Sequence, residues 1–215
     1  MRLFPFRTFF LAIASLSAGL PALVTGPAHA STTSSPRYPQ FALSRPVIGM
    51  APLGTGFVRG QITAVGDSVM VDYQDELAKF LPGVSVHAYV GQQFISGLDE
   101  LQTLKADHQL GAIVVVAHGT NGPLSSALMS QMLSILNGAA RIVLVTNYVD
   151  RPWQNANNQL IVATARAHPH IVIANWAARA RRHPDWLYSD HTHLPIDGPG
   201  ARELAWIIHQ AVRRP

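Results

Sequence analysis

The chain has 215 residues, 48% of them hydrophobic and 13% charged, and it contains no cysteine. This excludes a disordered chain, a disulfide scaffold and a cysteine-ligated zinc site, and the length suits one domain with a tail. The formal charge of +4 comes from 16 basic and 12 acidic residues, and the basic count falls to 14 once Arg2 and Arg7 are set aside as part of a targeting segment. Arg179, Arg181 and Arg182 form the one dense basic group and read as a solvated helix end, so no nucleic-acid footprint is present.

The first thirty residues read as a secretory signal peptide. Arg2 and Arg7 give the positive start, Phe9 to Leu20 is an uncharged run, Pro21 breaks it, and Ala28-His29-Ala30 supplies an A-x-A cleavage site. The run is short for a membrane span. The expectation is a periplasmic or secreted protein after cleavage near Ala30, with an uncleaved anchor as the alternative. Residues 31–60 read as a linker rich in Pro, Gly and Ser, with Pro39, Pro46, Pro52, Gly54, Gly56 and Gly60 interrupting any period. The glycines between Gly49 and Gly56 follow no predicted strand, so they do not form a dinucleotide loop. The catalytic domain is expected over residues 61–215.

From Gln61 strands and helices alternate. Ile62 to Val65 is a short apolar strand and Tyr73 to Phe80 a helix. Val84 to Val90 is a strand, Gly97 to Lys105 a helix. Ala112 to Ala117 is a continuous Ile/Val run, as expected of a strand buried on both faces. Leu124 to Leu136 reads as helical, Ile142 to Thr146 as a buried strand, Asn157 to Ala167 as a helix and Ile171 to Ala174 as the fifth strand. The last helix spans Pro199 to Val212. This alternation predicts an α/β protein, a three-layer α/β/α sandwich on a five-stranded parallel sheet.

In such folds sites gather at the carboxyl ends of the strands. Gly66-Asp67-Ser68 follows the first strand, Gly91-Gln92-Gln93 the second, His118-Gly119-Thr120-Asn121-Gly122 the third and Asn147-Tyr148-Val149-Asp150 the fourth. Asp190-His191-Thr192-His193-Leu194 precedes the last helix. Together these loops hold the parts of a serine acyl-transfer site. Ser68 is placed to be a nucleophile, His193 its base and Asp190 the group that orients the base. An oxyanion needs preorganised donors, and Ser68, Gly91 and Asn121 can supply them. Asp67 reads as structural, bonding across the loop.

These blocks resemble the SGNH, or GDSL, hydrolase superfamily: Gly66-Asp67-Ser68-Val69-Met70, then Gly91, then Gly119-Thr120-Asn121, then Asp190-x-x-His193. The four blocks stand in family order. Thr63 to Met70, Val90 to Gln93, His118 to Gly122 and His183-Pro184-Asp185-Trp186 further resemble the extracytoplasmic SGNH domain attached to membrane acyltransferases that O-acetylate peptidoglycan and other polysaccharides. That branch usually has Gly-Val where this chain has His191-Thr192. It shares Gly122, where many other members have Asp. The resemblance implies a serine esterase or O-acetyltransferase acting on a carbohydrate polymer. The partners it implies are an acetylated carbohydrate or acetyl donor and a separate membrane acyltransferase.

Other readings of the same residues are weaker. Asp190, His191 and His193 contain an H-x-H pair that suits a metal, but further ligands would have to come from His183; no metal and no cofactor are expected. His87 and His118 read as polar groups at strand ends, Trp153, Trp176 and Trp186 as core or rim residues, and Arg151 as a loop salt bridge. The alternative function is a non-catalytic polysaccharide-binding or scaffold protein that keeps the fold.

Overall fold

A computed structural model describes residues 56–214. The signal peptide and nearly all of the linker fall outside the described residues. Among the described residues five strands form one parallel sheet: β1 (Phe57–Gly66), β2 (Ser85–Ala88), β3 (Leu110–Ala117), β4 (Arg141–Val145) and β5 (Ile171–Ala174), in the order β2-β1-β3-β4-β5. The helices are α1 (Ser68–Phe80), α2 (Phe94–Ala106), α3 (Ser126–Ile135), α4 (Gln154–Ala167), α5 (Trp176–Ala180) and α6 (Pro199–Arg213).

The three layers follow from strand pleating, which sends successive side chains to opposite faces. Ala64, Val115, Ala117, Val143 and Val145 pack with α1, α5 and α6, through Met70, Tyr73, Leu77, Trp176, Leu204 and Ile208. Their neighbours Val65, Val114, Val116, Ile142 and Leu144 pack with α2, α3 and α4, through Leu98, Leu101, Met132 and Ile161. The central strands are therefore covered on both sides, which is why their sequences are unbroken apolar runs.

Several boundaries differ from the sequence reading. β1 begins at Phe57, inside the segment read as linker, and Phe57 and Val58 pair with Leu110 and Gly111. The register shifts between Val58 and Ile62, so an irregular ladder hides the strand's first half from any alternation pattern. α1 begins at Ser68, five residues before the predicted start, because the Asp67 carboxylate caps it by accepting from the Val69 N–H at 3.2 Å. α2 and α4 each start three residues early, and β2 is shorter than predicted, ending at Ala88. The five-residue α5 and a 3₁₀ turn over Pro184–Trp186 are additions to the predicted elements, both too short to show a period. No helix of the described residues is long and apolar enough to cross a membrane.

Candidate active site

The sheet order puts β1 and β3 side by side at its centre. The chain leaves β1 at Gly66 and β3 at Ala117, and these two residues are register partners. The loops carrying Ser68 and Asn121 are thus neighbours by construction. Asp67 joins them: its N–H donates to the Ala117 carbonyl at 3.2 Å, and its carboxylate accepts from the Thr120 N–H at 3.1 Å and from Val69. Asp67 is 1% exposed. Burial pushes its carboxyl up to about 6, while hydrogen bonds from Thr120 and Val69 and the nearby His193 pull the other way. The structural reading of Asp67 thus matches its place between the two loops.

Ser68 is the first residue of α1 and is itself buried. Its Oγ lies 2.9 Å from His193 Nε2, and His193 Nδ1 lies 2.6 Å from Asp190 Oδ2. The chain of groups runs outward, with the His193 side chain 36% and the Asp190 side chain 49% exposed. Asp190 Oδ1 also accepts from the backbone N–H groups of Thr192 and His193, each at 3.0 Å. Partial desolvation raises the Asp190 carboxyl, but hydrogen bonds from the His193 ring and from these two N–H groups outweigh it and hold the carboxyl below its ordinary value.

The turn that returns His193 to Ser68 passes through His191, which is exposed and has φ of 55°. Left-handed backbone is routine for glycine and strained for other residues. His191 stands where the resembled branch usually has glycine, and it takes left-handed backbone there at some cost in strain. Beyond His193 the segment is pinned twice. The Leu194 N–H donates to Asp72 Oδ2 at 3.0 Å, and the Leu194 side chain is fully buried. Asp72 lies one turn after Ser68 on α1, so a single helix carries both the hydroxyl and the anchor of the histidine loop. Gly200 lets α6 approach: a Cβ there would meet Leu194 at 2.8 Å and Trp186 at 2.9 Å.

Gly91 has φ of 75°, and a Cβ there would meet nothing within 4 Å. Glycine is therefore favoured here by its left-handed backbone. Asn121 Nδ2 donates to the Gln92 carbonyl at 3.2 Å, tying the third-block loop to the second and leaving one amide N–H for another acceptor. Ser68, Gly91, Asn121, Asp190 and His193 are thus brought to one end of the sheet.

Three asparagines that no motif marks hold the loops after β3 and β4. Buried Asn157 Nδ2 donates to the carbonyls of Gly119 and Gly122, each at 3.0 Å, and its Oδ1 accepts from the Leu124 N–H at 2.7 Å. Asn147 Nδ2 donates to the His118 carbonyl at 2.9 Å. Asn158 bonds both backbone groups of Asn147. Trp153 Nε1 donates to the Gly119 carbonyl at 3.1 Å, so Trp153 braces the loop after β3. Arg151 donates to the Asp150 carbonyl at 2.9 Å, a backbone bond in place of the salt bridge expected from sequence.

His183, which a metal reading would need, stacks on Trp186 with ring centroids 3.8 Å apart. A second Ser–His–carboxylate chain exists on the edge strand: His87 lies 2.9 Å from Ser85 Oγ and 2.8 Å from Glu100 Oε1. Ser85 opens β2, three residues below the strand end that faces the site, so it stands apart from Gly91 and Asn121.

His118 lies buried against Phe94 and Gly97. Burial lowers its pKa to about 4, against a small opposing pull from the Gln92 backbone. The unfolded chain protonates from the ordinary 6.5 downward while the native imidazole stays neutral, so acid costs stability through this residue between pH 6.5 and about 4. Asp67 acts oppositely, because native Asp67 keeps a proton up to about 6 that the unfolded chain releases near 3.8. Replacing His118 with Met isolates the first effect. On going from pH 7 to 4.5 the parent should lose on the order of 2–3 kcal/mol more unfolding free energy than His118→Met in urea titrations. Equal losses would refute a buried neutral His118.

No family model matches the chain. YrhL of Bacillus subtilis strain 168 is 30% identical over 153 residues, covering 71% of this chain and 24% of that protein. Peptidoglycan O-acetyltransferase OatA of Listeria monocytogenes is 29% identical over 141 residues, or 66% of this chain and 22% of that one. The chain thus spans about a quarter of the length of these curated relatives. Among solved structures, the C-terminal catalytic domain of Streptococcus pneumoniae peptidoglycan O-acetyltransferase A, which carries a methylsulfonyl adduct, matches with a TM-score of 0.66 at 23% identity over 71% of this chain and 92% of that one. With the fold, the four ordered blocks and these relatives in agreement, the chain is similar in sequence to the peptidoglycan O-acetyltransferases and shares the fold of the C-terminal catalytic domain of one of them.

Proposed function

We propose that this protein is an extracytoplasmic serine enzyme that removes or transfers O-acetyl groups on a carbohydrate polymer through an acetyl-Ser68 intermediate. The observation that carries this reading is the unbroken chain from Ser68 Oγ through His193 to Asp190, at 2.9 Å and 2.6 Å. His193 Nε2 takes the serine proton as Oγ attacks the acetyl carbonyl, and Asp190 stabilises the imidazolium that results. The imidazolium then protonates the leaving hydroxyl. In the second half-reaction a water or a sugar hydroxyl is deprotonated by His193 and takes the acetyl group, and the imidazolium returns the proton to Ser68 Oγ as the acyl bond breaks. The N–H groups of Ser68 and Gly91 and the Asn121 amide serve the oxyanion in both halves.

The polymer acceptor is supported by the two curated relatives, both of which carry peptidoglycan O-acetyltransferase in their names, and by exposed side chains near the site. Tyr188, hydrogen-bonded through its N–H to the His193 carbonyl, is 52% exposed, and Val90 and Ile95 are also exposed beside the second-block loop. An exposed tyrosine on the loop that carries the base suits a sugar ring. Export rests on the Ala28-His29-Ala30 site, and a separate membrane acyltransferase is the partner class that would supply acetyl groups. A non-catalytic scaffold would have no use for an aligned Ser68, His193 and Asp190.

Asn121→Ala tests the reading at the oxyanion. Its amide acts on charge that exists only in the transition state, so kcat should fall about 10²–10³-fold with KM nearly unchanged. Steady-state kinetics with p-nitrophenyl acetate give both constants. A change confined to KM would move Asn121 to substrate binding. Adding an oligosaccharide of N-acetylhexosamines and analysing the products by mass spectrometry then separates transfer to sugar from release as acetate.

A further inference from the structure

Beside the start of α1, between the sheet and α1, α5 and α6, lies a cavity of about 20 Å³. It is lined by Asp67, Tyr73, Thr120, Thr146, Asn147 and Trp176, with apolar residues completing the wall. Three of these residues bring buried polar atoms that have no protein partner: Tyr73 Oη, Asn147 Oδ1 and Trp176 Nε1. The Asn147 oxygen is assigned securely, since its amide nitrogen must be the donor to the His118 carbonyl. Tyr73 and Trp176 are among the largest fully buried side chains.

Orphaned polar atoms cost stability when they meet nothing, and native interiors rarely leave them so. A cavity of roughly 10–15 Å³ or more holds one water, provided two to four polar partners surround it. Volume and partners agree here. Apolar cavities stay dry, but the wall of this one includes Asp67, Tyr73, Asn147 and Trp176, each with a polar side-chain group.

We propose that this cavity binds one ordered water held by Tyr73 Oη, Trp176 Nε1 and Asn147 Oδ1, and that Tyr73 acts through it as a positioning residue for the Asp67 carboxylate. The Trp176 N–H donates to the water, and Asn147 Oδ1 accepts from it. The Tyr73 hydroxyl also donates to the water, which gives its second proton to the Asp67 carboxylate, whose two oxygens already accept from Val69 and Thr120. The ionised carboxylate holds both the helix start that presents Ser68 and the loop that presents Asn121. The groups facing Asp67 are Tyr73 and Val69 of α1, Thr120 of the third-block loop and His193 of the loop before α6. Burial raises both Asp67 and Tyr73, and the Asp67 and Asp72 charges raise Tyr73 further, so Tyr73 remains a neutral donor throughout. The water site stands on the fold alone, while its kinetic consequence rests on the acyl-transfer reading.

A high-resolution crystal structure of the full chain tests the site itself. Density for one water within hydrogen-bond distance of Tyr73 Oη and Trp176 Nε1 is expected, and a dry cavity overturns the proposal. Tyr73→Phe tests the consequence. Losing the hydroxyl that holds the water against the Asp67 carboxylate should lower kcat roughly 10-fold and move the acidic limb of the kcat profile about one unit to higher pH, with KM unchanged. The sign follows because a carboxylate with one donor fewer is harder to ionise. A merely structural tyrosine would lower thermal stability without moving the limb, and an unmoved limb overturns the positioning role. Should Tyr73→Phe fail to fold, Trp176→Phe removes a donor from the same water and should move the limb in the same direction. If Ser68→Ala stays active while the water is present, the acyl-transfer reading fails and the site survives.

Discussion

Ser68→Ala is expected to lower turnover of p-nitrophenyl acetate by ~10⁴-fold or more with the fold intact. The size of the effect follows from chemistry: alanine has no atom that can form the covalent intermediate, and only the oxyanion donors and binding remain. The fold should survive because the change is mild where Ser68 sits. Alanine is the best helix former, the capping of α1 is done by Asp67 and not by Ser68, and the side-chain bond lost is the one between Oγ and His193. Circular dichroism and thermal unfolding check the fold, and steady-state hydrolysis checks the activity. A folded variant with parental turnover would sink the nucleophile assignment. The Ser85–His87–Glu100 chain would then be the alternative to test, since it too bonds a serine to a histidine that faces a carboxylate. With Ser68 as nucleophile, Ser85→Ala should keep most of its activity.

The second large effect separates two histidines in one loop. His193→Ala should lose nearly all activity, about 10⁴-fold or more, because triad members act as a unit. His191 faces a different fate. It is exposed, its N–H turns back to the Tyr188 carbonyl at 2.9 Å, and its backbone is left-handed. Its contribution is the turn, and glycine makes that turn with less strain. His191→Gly should therefore keep most of the activity and should not lower the thermal midpoint. Adding a chelator should change neither protein. Loss of activity in His191→Gly with His193→Ala still active would reverse the assignment, and loss on chelation would return the loop to a metal reading.

Some residues of this fold announce their place in the sequence and others do not, for physical reasons. Val114 to Val116 and Ile142 to Leu144 are legible as strands because a sheet covered on both faces demands unbroken apolar runs. Ser68, Gly91, Asn121, Asp190 and His193 are legible because each stands just past a strand or just before the last helix, where a parallel sheet collects its site. Helix starts are poorly legible. Asp67 and Ser68 begin α1 by a capping bond, which leaves no trace in hydrophobic periodicity. Phe57 and Val58 escape notice because the irregular ladder between Val58 and Ile62 breaks the alternation of β1. Asp72 carries a faint signal, four residues after Ser68 in helical register, but its partner is the backbone of Leu194, far along the chain. Asn147 shows only its place just past β4, and Asn157 and Asn158 carry no signal. Their bonds depend on how α4 docks against the loops after β3 and β4, a tertiary relation that no local pattern encodes.

The central claim is a covalent one, so trapping the intermediate tests it most directly. The purified protein is mixed with p-nitrophenyl acetate, quenched in acid within the first turnover and digested for mass spectrometry. One added acetyl group is expected on the peptide containing Ser68, absent from Ser68→Ala and diminished in His193→Ala. Acetyl on Ser85, or turnover with no acetyl-protein under any quench time, would contradict an acetyl-Ser68 mechanism.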